Sequence, residues 1–223
     1  MPRFFGPFGI PQENGSGGMR TLGLSLVLSA AVLLLGAGSA RAISFEFTSD
    51  HCTGGCGTAP FGSVTLNQNG ANVDITVHLF SPNFFVKTGA GDFQAFKFNA
   101  SGVVLGDITV DQTVSLQTLA AQTGAFNGDG GGMFTFGIAC TTCSNGSSSK
   151  FNDDIVFHVA GATIADLTAG NNLGHIFVAD ILSDAAGGGT GNTGLVDVAV
   201  PEPGTAALFG LGLVGLAVAG RRR

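Results

Sequence analysis

The sequence has no tryptophan and no tyrosine, and its 19 phenylalanines are its entire aromatic complement. It is therefore poorly supplied with the amphipathic rings from which exposed sugar-stacking platforms are usually built. Charge is scarce as well. Only 11% of residues are Asp, Glu, Lys or Arg, while 44% are apolar, which excludes both a charge-rich disordered chain and a basic nucleic-acid binder. Arginine is missing from the whole interior, all six lying at Arg3, Arg20, Arg41, Arg221, Arg222 and Arg223. Between residues 43 and 200 three lysines (Lys87, Lys97, Lys150) stand against thirteen acids, a formal charge of −10 that would repel phosphate backbones.

Signatures of catalysis are lacking too. There is no G-x-S-x-G, no phosphate-cradling glycine loop with a lysine, and no dinucleotide fingerprint. His51, His78, His158 and His175 are scattered, and none sits in an arrangement that would set a metal-bound water beside a general base. Ser147-x-x-Lys150 formally matches a serine–lysine nucleophile pattern, but it falls in the low-complexity run SNGSSSK and does not open a buried helix. Asp129, Asp153 and Asp154 could offer oxygen ligands to calcium, yet their spacing matches no calcium loop, and solvated turn carboxylates are the better reading. The expectation is a non-enzyme with no catalytic residue, no cofactor and no metal.

What is abundant is glycine, 37 residues of it, together with short apolar runs. That favours short strands joined by tight turns over long helices. Segments bounded by Gly, Asn, Asp or Pro read as strands at 43–48, 63–67, 72–80, 92–99, 107–110, 133–139, 154–159 and 175–182. Val73, Ile75, Val77 and Leu79 alternate with Asp74, Thr76 and His78, the period of a strand with one wet face. Asn69-Gly70 reads as a hairpin turn, the phenylalanine spacing at 93, 96 and 98 suggests a bulge, and a short helix is conceivable over 114–122. The fold class expected is all-β: a single, jelly-roll-like β-sandwich over residues 43–184. Residues 124–132 (GAFNGDGGG) read as a surface loop, and 185–199 as a Gly-rich loop or stalk.

The two ends look like addresses. From Met19 one arginine (Arg20), a long apolar run and small residues ending Ala40-Arg41-Ala42 have the layout of a secretory signal peptide. Ala40 and Ala42 would occupy the minus-three and minus-one pockets of signal peptidase after passage through the translocon, so residues 1–42 form an upstream extension and signal peptide. Residues 200–223 begin Val200-Pro201-Glu202-Pro203 and end Arg221-Arg222-Arg223. Between them the uncharged run from Gly204 to Gly220 would span roughly 25 Å as a helix, close to the ~30 Å hydrocarbon core of a membrane. The triple arginine would act as a cytoplasmic stop.

This order of VPEP, apolar helix and terminal arginines resembles the PEP-CTERM sorting signal of Gram-negative bacteria that make extracellular polysaccharide. The resemblance covers about the last 24 residues. It implies that Pro201, Glu202 and Pro203 are read by an exosortase, a membrane-embedded cysteine protease or transpeptidase, so that the chain is a substrate at the inner membrane. It also implies localisation outside the cytoplasm: tethered first, then at the cell surface or released after processing. An exopolysaccharide partner follows from the resemblance alone.

Four cysteines fall in two couples, Cys52-x-x-x-Cys56 and Cys140-x-x-Cys143. In an exported chain an even number favours two disulfides. Local pairing is the first choice; cross-pairing, a zinc site aided by His51, and thioredoxin-like redox chemistry are the alternatives. For the body, the leading expectation is a structural or adhesive surface domain linked to an exopolysaccharide matrix or biofilm. A glycan- or calcium-binding module stands second, and a hydrolase with an unrecognised site third.

Overall fold

A computed structural model describes residues 42–111 and 117–199, all within the compact unit Ala40–Arg223. The described residues form a two-sheet antiparallel sandwich, as the turn-rich, short-strand sequence implies. The first sheet runs in the order β1 (Ala42–Glu46), β3 (Gly62–Asn69), β4 (Asn72–Leu79), β11 (Ile155–Ala160), β7 (Ile108–Val110). The second runs β10 (Gly146–Phe151), β5 (Asn83–Lys87), β12 (His175–Ser183), β6 (Phe96–Phe98), β9 (Met133–Cys140), β8 (Leu119–Asn127). Strand β12 also pairs along most of its length with β13 (Thr193–Ala199), beyond which lies the short β2 (Ser49–Asp50). The β12 edge opposite β13 is shared, Ile181–Ser183 bonding β5 and Phe177–Ala179 bonding β6.

The hairpin between β3 and β4 forms as read. Asn69 faces Asn72, leaving a two-residue turn whose first member, Gly70, has φ +60, the positive value that the primed hairpin turns demand there. Register then fixes which side chains go inside: Val64, Leu66, Val73, Ile75, Val77, Ile155, Phe157 and Val159 are fully buried, and their neighbours look outward. From the second sheet Phe96, Phe98, Phe136, Phe177 and Ile181 meet them. Phe157 bridges the layers, its ring centroid 5.2 Å from Phe98 and 6.0 Å from Phe96. Each such ring pair adds about 0.5–1.5 kcal/mol beyond area burial. Phenylalanine carries no polar atom, so this interior needs no hydrogen-bond partners for its rings.

The structure corrects the sequence reading in several places. β2, β5, β8, β10 and β13 are not among the expected strands. Residues 119–122, expected within a helix, pair with β9 as part of β8, and that pairing outweighs local propensity. β8 continues to Asn127, so only the second half of GAFNGDGGG is a turn, closed by Gly128 N–H on Gly132 O (2.6 Å). The serine-rich run becomes β10 because Phe151 packs against Phe85 at 5.2 Å, anchoring an otherwise polar strand. The expected strand over 92–99 starts only at Phe96, and a turn precedes it in place of the expected bulge. The Gly-rich stalk assigned to 185–199 is, from Thr193, the buried strand β13, so the folded body extends to Ala199 instead of ending at 184. One short helix, α1 (Ile164–Thr168), lies between β11 and β12, its first turn capped by Thr163 and Asp166.

Candidate functional site

The outer face of the second sheet carries the unusual chemistry. β12 is buried on both faces: Phe177, Ala179 and Ile181 join the main core, while Val178 joins a smaller cluster with Phe134 and Leu195 on the other side. Three fully buried charges belong to these central strands: Lys97 on β6, Asp180 on β12 and Asp197 on β13. Two turns, residues 88–95 and 128–132, lie over them. Thr88 gives Asp180 a backbone N–H (2.6 Å) and its hydroxyl (2.8 and 2.9 Å), and Lys97 donates to Asn127 O at 2.5 Å. Glycine is required for this closeness: a Cβ on Gly91 would stand 2.7 Å from Asp180 Oδ2. Burial pushes Asp180 up to about 7, against the pull of Thr88 and Lys97. Burial likewise lowers Lys97 to about 8, opposed by Asp180, Asp92 and Asp129.

The same turns hold the non-glycine residues with left-handed backbone: Asp92 (φ 47), Phe93 (φ 64) and Asp129 (φ 43). Phe93 is a costly residue to place there, and the residue is 42% exposed. Beside it opens a cleft of about 430 Å³ that Phe126, Gln94, Gln122 and Asn145 also line.

Further along the face, Asp197 gathers two histidines from distant segments. His51 Nε2 stands 2.5 Å from Asp197 Oδ2, and His175 Nδ1 is 2.9 Å from Asp197 Oδ1. The second contact is misaligned for a hydrogen bond, leaving both atoms without a hydrogen-bond partner. Ser49 Oγ lies 3.3 Å from His51, but on the same Nε2 that faces Asp197. A nucleophile–base–carboxylate relay needs the two partners on opposite ring nitrogens, and this arrangement does not supply it. The remaining histidines also meet carboxylates, His78 with Asp154 (2.6 Å) and His158 with Asp111 (2.9 Å). The partners of His51, His78 and His158 lie 47 to 146 positions away, so these histidines look scattered in the sequence.

Cys52 bonds Cys56 and Cys140 bonds Cys143, with Cα separations of 5.5 and 5.4 Å, so the local pairing holds and no cysteine is free. Asp50 beside the first bridge is the one carboxylate grouped with cysteines among the described residues. It accepts the N–H groups of Cys52 (2.8 Å) and Cys56 (2.7 Å), tying the loop down. Lys150 of the serine–lysine pattern is committed elsewhere, pairing with Asp184 at 2.8 Å and lying over the Phe84 ring. Asp129 stays exposed in its turn, its N–H donating to Asn127 Oδ1.

Of the sorting and processing residues, Ala42 is the first, exposed residue of β1, facing Asn67. Ala40, Pro201, Glu202, Pro203, Arg221, Arg222 and Arg223 lie outside the described residues, as do both apolar runs. Among the described residues no helix is long and apolar enough to cross a membrane.

The described residues are thus a disulfide-stapled, all-β body, and a C-terminal signal follows them in the sequence. That signal is identified by comparison: residues 199–223 match the family model of the PEP-CTERM protein-sorting motif, and the chain carries this motif at its end. Neither a curated protein nor a solved structure matches the chain.

Proposed function

We propose that this chain is an exported exosortase substrate whose β-sandwich serves a structural or adhesive role outside the cell and catalyses no reaction. The observation that carries the proposal is the junction at Ala199, where β13 ends and the matched motif begins. Cutting at Pro201-Glu202-Pro203 would leave every described strand intact, so a processed product keeps its whole fold. The signal-peptide layout before Ala42, the two disulfides and the acidic body support export through the translocon, cleavage by signal peptidase and residence in an oxidising space. Attachment to an exopolysaccharide matrix or biofilm belongs to the same proposal and draws on the motif alone. The non-enzymatic part is supported by the geometry at His51, where one ring nitrogen faces both Ser49 and Asp197.

Replacing Pro201, Glu202 and Pro203 by alanine in the native host tests sorting. The variant is expected to stay in the membrane fraction with its tail uncut while the natural chain reaches the surface or medium. Identical fractionation of the two would overturn the proposal.

A further inference from the structure

We propose that the cleft beside Phe93 binds one or two rings of a neutral saccharide. The inference deepens the adhesive role proposed above by giving it a site and a ligand class. The cleft's volume of about 430 Å³ lies in the lower part of the range for small-molecule sites, which is about 300–1,000 Å³. Its floor and walls come from the turn after β5, from β8, and from the segment following β9 that the Cys140–Cys143 bridge fixes.

Phe93 is the first reason to assign a ligand here. A bulky residue with φ +64 costs of the order of 1–3 kcal/mol, and such strain persists only where surrounding structure imposes it. The imposing contacts are on hand: Phe93 N–H donates to Thr88 O at 3.0 Å, and Thr88 is itself held by the buried Asp180. Yet the strain does not serve the core, because the ring it positions remains exposed. Phe126 supplies a second, half-buried ring. A sugar's C–H face stacks on such rings without needing the polar handle of Tyr or Trp.

The polar lining provides what the rings lack. Gln94 is only 3% exposed, donates to Gln122 Oε1 at 2.9 Å, and has an Oε1 with no hydrogen-bond partner. That oxygen is covered and lies against Gly137, so the part Gln94 plays in the lining is to hold Gln122 in place. With its oxygen taken by Gln94, the exposed Gln122 has its amide N–H groups left to donate. Asn145 offers both a donor and an acceptor, and Asp92 has one oxygen on Asn127 N–H with the other left to accept. Mixed donors and acceptors around aromatic faces match hydroxyl groups on a ring. Lys87 and Asp92, both in the lining, offset one another, which favours a neutral sugar over an acidic one.

The test is a glycan array of neutral hexose and N-acetylhexosamine oligosaccharides probed with the full chain in detergent, followed by calorimetric titration of the strongest binder. Phe93→Ala and Asn145→Ala both alter exposed side chains, so their melting temperatures are expected to match the natural chain. Each should weaken binding by about tenfold, the scale of one lost stacking or hydrogen-bond contact. Binding to no neutral saccharide, or variants that bind as the natural chain does, would overturn the assignment. Because the measurement uses purified protein, a failure here is distinguishable from a failure of exosortase processing, which is read in the host.

Discussion

Replacing Asp180 by asparagine should change how stability depends on pH, in a direction set by burial. Asp180 ionises near an ordinary 3.8 in the unfolded chain but near 7 when folded, because the carboxylate loses its water. Between those values the folded protein holds a proton that the unfolded chain has released, so stability falls as pH rises through the window. The slope approaches about 1.36 kcal/mol per pH unit only midway between the two values, so the loss amounts to about 3 kcal/mol from pH 4 to pH 7. The amide in Asp180→Asn would keep the shape and one acceptor for Thr88 but would not titrate. Subtracting the variant's unfolding free energy from that of the natural chain cancels most other groups, including Asp166 and Asp184, whose lowered values act at more acid pH. Urea unfolding followed by far-ultraviolet circular dichroism suits a chain without Trp or Tyr. The difference should shift steadily in favour of the variant as pH rises to 7. A flat difference, or one that grows in favour of the natural chain, would show that Asp180 is ionised throughout and would refute the burial argument. Lys97 gives the opposite effect at higher pH: stability should climb as pH rises from about 8 to 10.5, because the folded chain has given up a proton that the unfolded chain still carries.

Phe157→Ala removes the ring that joins the two sheets through Phe96 and Phe98, and should cost about 3–5 kcal/mol in urea unfolding. Replacing Cys140 and Cys143 together by serine opens a short loop whose closure contributes about 2 kcal/mol by chain entropy; the Cys52–Cys56 bridge should contribute as much. Gly194→Ala should destabilise by about 1–3 kcal/mol, since its Cβ would fall 2.5 Å from the Cys52 Cα, where backbone cannot yield cheaply. Thermal melting of each variant checks these three expectations.

The sandwich was legible wherever one face of a strand is wet. The alternation through Val73, Ile75, Val77 and Leu79 fixed both strand and register for β4, and Asn69-Gly70 placed its hairpin. Legibility failed where tertiary pairing decides. Nothing in GSSSKF announces a strand until Phe85 is there to receive Phe151, and the LAAQ segment is strand only because β9 lies beside it. The polar layer could have been glimpsed. IFVADILS and LVDVAV run apolar without alternation, the mark of strands covered on both faces, so the aspartate inside each had to be buried. Lys97 carried no such sign, since a lysine between two inward phenylalanines is ordinary on a wet face. The histidine partners and the cleft could not be read because their members are brought together from across the chain. The sorting signal was readable because it is contiguous and is recognised as a linear string.

The most direct test of export and processing is the intact mass of the mature protein recovered from its native host. The expected species begins near Ile43, ends near Pro201-Glu202-Pro203 without Arg221, Arg222 and Arg223, and keeps both disulfides closed. Mature molecules that all retain the terminal arginines would contradict exosortase processing.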